Sequence, residues 1–159
     1  MGKLINSLNI SIKYILFLLM TALIFCVFAQ VIFRFVLENP LAWTEELARF
    51  ILVWLTFLGA AYAMSLKAHI SIDYFVNKLP VRLHKATLVL STFISIAFFY
   101  IMVTEGYSMT VRTMGQFSSV LEIPMGLVYS IIPISGIILT INILNETFKT
   151  MFNKGGADK

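Results

Sequence analysis

The sequence predicts an all-α membrane protein: four transmembrane helices, both termini in the cytoplasm, and a short amphipathic helix in the interface between helices 2 and 3. Three observations carry this. Of the 159 residues, 59% are hydrophobic and only 13% charged, with a mean hydropathy of +0.89, whereas a soluble domain is about a quarter charged. Four uncharged runs, Tyr14–Phe33, Phe50–Leu66, Ala86–Thr104 and Ile123–Asn145, hold twenty, seventeen, nineteen and twenty-three residues, and about 20 apolar residues at 1.5 Å each cross the ~30 Å hydrocarbon layer. Lysine and arginine are distributed unevenly between the two sides. Nine fall before the first run, between the second and third, or after the fourth; three (Arg34, Arg49 and Arg112) fall on the other side. The positive-inside rule places the richer side in the cytoplasm.

With polar flanks included, the spans are expected at about 13–36, 44–66, 83–106 and 123–146, within a single domain of residues 1–154. Residues 155–159 read as a flexible tail. The first run follows Lys3 and Lys13 as a signal peptide would, but it exceeds the usual 7–15 apolar residues and no A-x-A site follows, so it reads as a retained span. One cysteine, Cys26, excludes an internal disulfide and any CxxC redox or zinc site. The basic residues are scattered, without the run that would suggest nucleic acid.

The stretch Asn39–Asp73 carries most of the chemistry. Asn39-Pro40 has the composition of a helix start, an asparagine cap followed by proline at the first helical position, and Thr44 is a second candidate cap. Glu45 and Glu46 suit the positive end of a helix dipole. Arg49, four residues after Glu45 and three after Glu46, can neutralise one acid but not both. The remaining charge is left to water, to Arg34 at the end of the first span, or to a basic group on another protein. Arg34 itself either snorkels to the headgroups or pairs with Glu38 or the acids of the next helix. Trp43 and Trp54 read first as interface-belt and packing residues. Gly59 and Ala63 form a small-xxx-small pair of the kind that lets helices approach closely in lipid, with an internal or a foreign helix.

After Lys67, His69, Asp73 and Asn77 recur every four residues opposite Ile72, Phe75, Val76 and Leu79. This predicts an amphipathic helix over about 69–79, ended by Pro80. His69 and Asp73 alone are too few ligands for a metal and read as a surface pair. The third helix is expected to run from about Val81 to Met114, where Gly115 stops it. At about 50 Å it is longer than the hydrocarbon core and must tilt or project. Pro124 starts the fourth span. Pro133 lies inside it, where it removes a backbone bond and clashes with the carbonyl of Tyr129, so a kink is expected there.

The spans carry no acidic, basic or histidine residue in their middles. Ion-coupled transporters usually place ionisable groups or broken helices at mid-depth, and a haem bundle needs axial ligands within its spans. His69 and His84 both lie between the second and third spans instead. No catalytic residue, metal site or cofactor site is predicted, which excludes an enzyme and points to an accessory subunit or scaffold.

The pattern W-T-E-E-x-x-R at Trp43–Arg49, with Val53-Trp54, Gly59-Ala60, His69-Ile70-x-x-Asp73, Arg34 closing the first span and Ile123-Pro124, resembles the small membrane subunit of TRAP (tripartite ATP-independent periplasmic) transporters. The resemblance covers essentially the whole chain. It implies an accessory, scaffolding subunit of a sodium-coupled importer of an organic acid, such as sialic acid or a C4-dicarboxylate, in the bacterial inner membrane. Its implied partners are a large multi-span membrane subunit, a periplasmic substrate-binding protein and membrane lipid. The candidate partner-interface residues are then Arg34, Trp43, Glu45, Glu46, Arg49, Trp54, Gly59, Ala63, His69 and Asp73. The competing reading is a self-contained homo-oligomeric channel or exporter that associates through Gly59 and Ala63.

Overall fold

Within a bilayer every backbone N–H and C=O must be paired inside the protein, which favours uninterrupted helices. The computed structural model describes residues 2–66 and 81–153, and its regular secondary structure there is helical apart from one isolated bridge between Phe117 and Pro124. Five helices follow in order: α1 (Gly2–Phe35), α2 (Ala42–Ser65), α3 (Val81–Thr113), α4 (Met125–Tyr129) and α5 (Ile131–Asn153). They supply four segments long and apolar enough to cross a membrane, Ile5–Phe35, Ala42–Ser65, Val89–Thr113 and Met125–Phe148, the last combining α4 and α5. The helix expected at about 69–79, with His69 and Asp73, lies outside the described residues.

The turn between α1 and α2 corrects the expected helix start. Neither Asn39 nor Thr44 is the cap; α2 begins at Ala42 behind Leu41, which makes no side-chain capping bond. Asn39 is held instead by the end of α1, its amide donating to the Phe33 carbonyl at 2.9 Å across Glu38, which adopts φ 51°. Pro40 therefore precedes the helix rather than opening it. Thr44, fully buried in the first turn, donates its hydroxyl to the Leu41 carbonyl at 2.7 Å.

The fourth span is interrupted at one residue, Ser130, which keeps right-handed helical dihedrals (φ −57°, ψ −23°). Pro133 offers no N–H to Tyr129, and α4 gives way to α5 at Ser130. The Ser130 hydroxyl donates to the Leu127 carbonyl at 2.7 Å and that of Ser135 to Ile132 at 2.9 Å, adding side-chain bonds on either side of the break.

The helices pack in the order α1, α2, α5, α3, with α1 and α5 touching only slightly. They form one layer rather than a closed bundle. Of the four spans, the one formed by α4 and α5 is the most buried and α1 the least. One cluster, with Leu58, Ala61, Phe99, Ile131, Ile138, Leu139 and Ile143, fills the centre; a smaller one, of Cys26, Ala48 and Ile51, joins α1 to α2. The edge helices leave large side chains exposed, among them Phe17, Phe25 and Phe28 on α1 and Phe93, Phe98 and Tyr100 on α3.

Hydrocarbon gives apolar surfaces no reason to leave it, so helix contact depends on close packing and interhelical hydrogen bonds. Glycines supply the closest approach, between α3 and the broken span. A Cβ at Gly126 would lie 2.5 Å from the Thr110 carbonyl oxygen, and one at Gly136 2.8 Å from Val103 Cγ2. A Cβ at Gly59 would meet nothing within 4 Å, and Ala63 is exposed. Gly59 and Ala63 thus make no close helix contact within the described chain. Gly126→Ala is expected to destabilise the isolated protein by about 1–3 kcal/mol through overpacking. Gly59→Ala is expected to be neutral or stabilising by up to ~1 kcal/mol from helix propensity. Thermal unfolding in detergent separates the two.

Hydrogen bonding joins three helices through two asparagines that the sequence reading did not single out. Asn9 on α1 and Asn142 on α5 exchange amide bonds at 3.0 and 3.1 Å, and Asn142 also donates to the Ala61 carbonyl on α2 at 2.9 Å. Asn142 is 2% exposed, so both of its amide hydrogens and its oxygen are satisfied within the protein. Asn142→Ala is expected to cost about 1–3 kcal/mol. In a double-mutant cycle with Asn9→Ala, the coupling should be about 1 kcal/mol, the scale of interhelical hydrogen bonds in lipid. Additive losses would show that the pair does not act as a unit.

Candidate functional site: the charged collar and the loop it holds

Consecutive helical residues project about 100° apart, so the two acids at the start of α2 face different neighbours. Glu45 points outward and meets Arg49 one turn on, Nη2 to Oε1 at 3.2 Å, with both side chains well exposed. Such a pair contributes little, about 0.3–0.5 kcal/mol. Glu46 makes no ion pair among the described residues. Its carboxylate receives the backbone of the loop between α3 and α4 instead. Oε1 accepts the Ser119 amide at 3.1 Å, and Oε2 accepts those of Val120 and Leu121 at 3.1 and 2.8 Å.

The loop has the internal order to present those amides together. The Ser118 amide donates to the Ile123 carbonyl at 3.0 Å and the Met125 amide to Gln116 at 2.8 Å, flanking the Phe117–Pro124 bridge. The Ile123 amide donates to Ser118 Oγ at 3.1 Å, so this buried hydroxyl accepts within the loop. Glu122 completes the turn at φ 52°, a left-handed conformation that L residues with a side chain adopt at a cost. Phe117 and Val120 are exposed on the outside of the loop.

The other singled-out residues lie around this centre in different settings. Arg34 meets no acid among the described residues; its guanidinium lies over the Phe35 ring, 5.7 Å from the centroid. Trp43 is partly exposed near the start of α2, while Trp54 is half-buried against the central cluster. Gly59 and Ala63 lie further along α2, away from the loop. The structure therefore brings Glu45 to Arg49 and Glu46 to the loop, and does not gather Arg34, Glu45, Glu46 and Arg49 into one cluster. No group of three or more metal-ligating side chains occurs among the described residues.

Glu46→Ala is expected to open the loop to cleavage by an added protease while leaving the spans inserted, because it removes the acceptor for three amides at once. Glu45→Ala should leave the loop protected and shift stability by less than about 0.5 kcal/mol. Limited proteolysis followed by mass mapping distinguishes them.

Over residues 23–153 the chain matches the family described as Tripartite ATP-independent periplasmic transporters, DctQ component. It is 24% identical over 152 residues to a Haemophilus influenzae protein assigned to the TRAP transporter small permeases, covering 96% of this chain and 94% of that one. It is 34% identical over 94 residues to the sialic acid TRAP transporter small permease protein SiaQ of Vibrio cholerae, covering 59% of this chain and 52% of SiaQ. The isethionate TRAP transporter permease protein DctMQ of Oleidesulfovibrio alaskensis is 26% identical over 147 residues, which are 87% of this chain but 23% of that one. A segment similar to this chain is therefore part of a much longer polypeptide there. This four-span membrane protein belongs to the DctQ-component family of TRAP transporters, the small permease subunits.

Proposed function

We propose that the chain is the accessory, scaffolding subunit of a sodium-coupled TRAP importer of an organic acid in the bacterial inner membrane. It works beside a large membrane subunit and a periplasmic substrate-binding protein. The observation that carries this reading is a single layer of spans whose uncharged runs hold no acidic, basic or histidine residue, capped at one end by an ordered, carboxylate-held loop. Substrate and ion chemistry at mid-depth then belongs to the partner subunit, and this chain supplies surfaces.

The nine-to-three distribution of basic residues supports placing both termini and the segment between α2 and α3 in the cytoplasm. The collar and the loop Gln116–Pro124 then face the periplasm, within reach of a soluble binding protein. The outward side of α2, from Glu45 and Arg49 to Gly59 and Ala63, is the surface we assign to the large subunit, its small residues making no close contact among the described residues. The relatives' names cover sialic acid, isethionate, ectoine and C4-dicarboxylates. An organic acid such as sialic acid or a C4-dicarboxylate fits that range, and no residue singled out here selects one.

Reconstitution tests the assignment. The chain should co-purify with a much larger membrane protein, and uptake into proteoliposomes should require both together with the binding protein. Charge reversal at Glu46 should lower uptake by about tenfold or more, a loss of over ~1.4 kcal/mol in the rate-limiting assembly or docking step. Full uptake by the large subunit without this chain overturns the scaffold role. Solute flux through this chain alone favours a self-contained channel.

A further inference from the structure

Three successive amides, those of Ser119, Val120 and Leu121, converge on a single carboxylate at 3.1, 3.1 and 2.8 Å. Successive N–H groups aimed at one point form a nest, which binds an anion through its directed partial charges. The ligand and its donors come from separate parts of the chain: Glu46 stands on α2, 73 to 75 residues before the amides it meets. The donors do not depend on Glu46 alone for their arrangement. The bonds Ser118–Ile123, Ile123–Ser118 Oγ and Met125–Gln116 define the loop from within.

We infer that Ser118–Leu121 is a carboxylate-binding site whose resident ligand is Glu46, and that it takes a small external monocarboxylate once Glu46 is withdrawn. The charged groups around it set the preference. Arg49 is engaged by Glu45 and offers the nest no second cation. Glu122, directly after Leu121, adds an exposed negative charge beside it. A compact monoanion such as acetate or formate therefore fits better than a polyanion such as citrate. In the native chain the Glu46 carboxylate already occupies the nest, so an added acid brings its amides no further protection. The donor set is independent of the transport role proposed above. Its consequence for the molecule is that the order of this loop depends on carboxylate occupancy.

Hydrogen exchange at the amides of residues 119–121 reads this out on the full chain in lipid nanodiscs at neutral pH. Glu46→Ala is expected to speed exchange there by about tenfold or more, since exchange follows the freedom of the loop to open. Acetate at about 100 mM should restore most of the protection, while sodium chloride or citrate at equal ionic strength should not, because the nest discriminates by shape and not by screening. The native chain should show no response to acetate. Unchanged exchange in the variant, no recovery with acetate, or equal recovery with chloride each overturns the inference. Glu46→Ser, a polar replacement tolerated near a helix start, provides the same measurement if the alanine variant fails to insert.

Discussion

For helices surrounded by hydrocarbon, apolar side chains give no preference for protein over lipid. What joins these helices has to be something lipid cannot supply: backbone approach closer than a methyl group allows, or hydrogen bonds with no partner among acyl chains. The described chain uses each in its own place. Gly126 and Gly136 bring the fourth span against α3, and the Asn9–Asn142–Ala61 set fastens α1, α2 and α5 together. The broken helix fits the same constraint. A proline that leaves a carbonyl without its donor is tolerated where the surrounding packing is tight and serine hydroxyls add bonds nearby.

At the collar end the controlling interaction is electrostatic. A loop of exposed backbone has little reason to hold one conformation, because water satisfies its amides equally well. A carboxylate changes this, since its two oxygens accept several charge-assisted bonds at fixed positions. The two neighbouring acids do different work for a geometric reason. Glu45 lies on the outward side of α2, where it shares charge with Arg49 and leaves the fold nearly unaffected. Glu46, a third of a turn around, faces the loop and ties together parts of the chain more than seventy residues apart.

The spans were legible because a stretch of some twenty residues without charge has few alternatives to a crossing helix. The Glu45–Arg49 pair was legible from its spacing, which brings the two side chains together on any helix. Glu46's role was not, because its partners are backbone amides, which carry no residue-type signature. Asn39 was misread for a related reason. Its sequence suits a cap, yet α2 begins only at Ala42, so the Asn39 side chain stands before the first turn. The small pair Gly59–Ala63 had the spacing of a helix contact, whereas the close contacts fell to Gly126 and Gly136. Spacing shows that an approach is permitted; it does not show against which helix.

The row arrangement α1, α2, α5, α3 has a consequence for passage across the membrane. A closed ring of helices encloses a lumen, and a lumen can be a pathway. Among the described residues the main contacts run in single file, with α1 reaching α5 only lightly, and the edge helices keep open flanks. Under the role proposed above, a solute would travel past the described helices, along a partner held against one flank. Such a protein can contribute rigidity and position to that journey, as a fixed wall does for a sliding door, without itself containing a road.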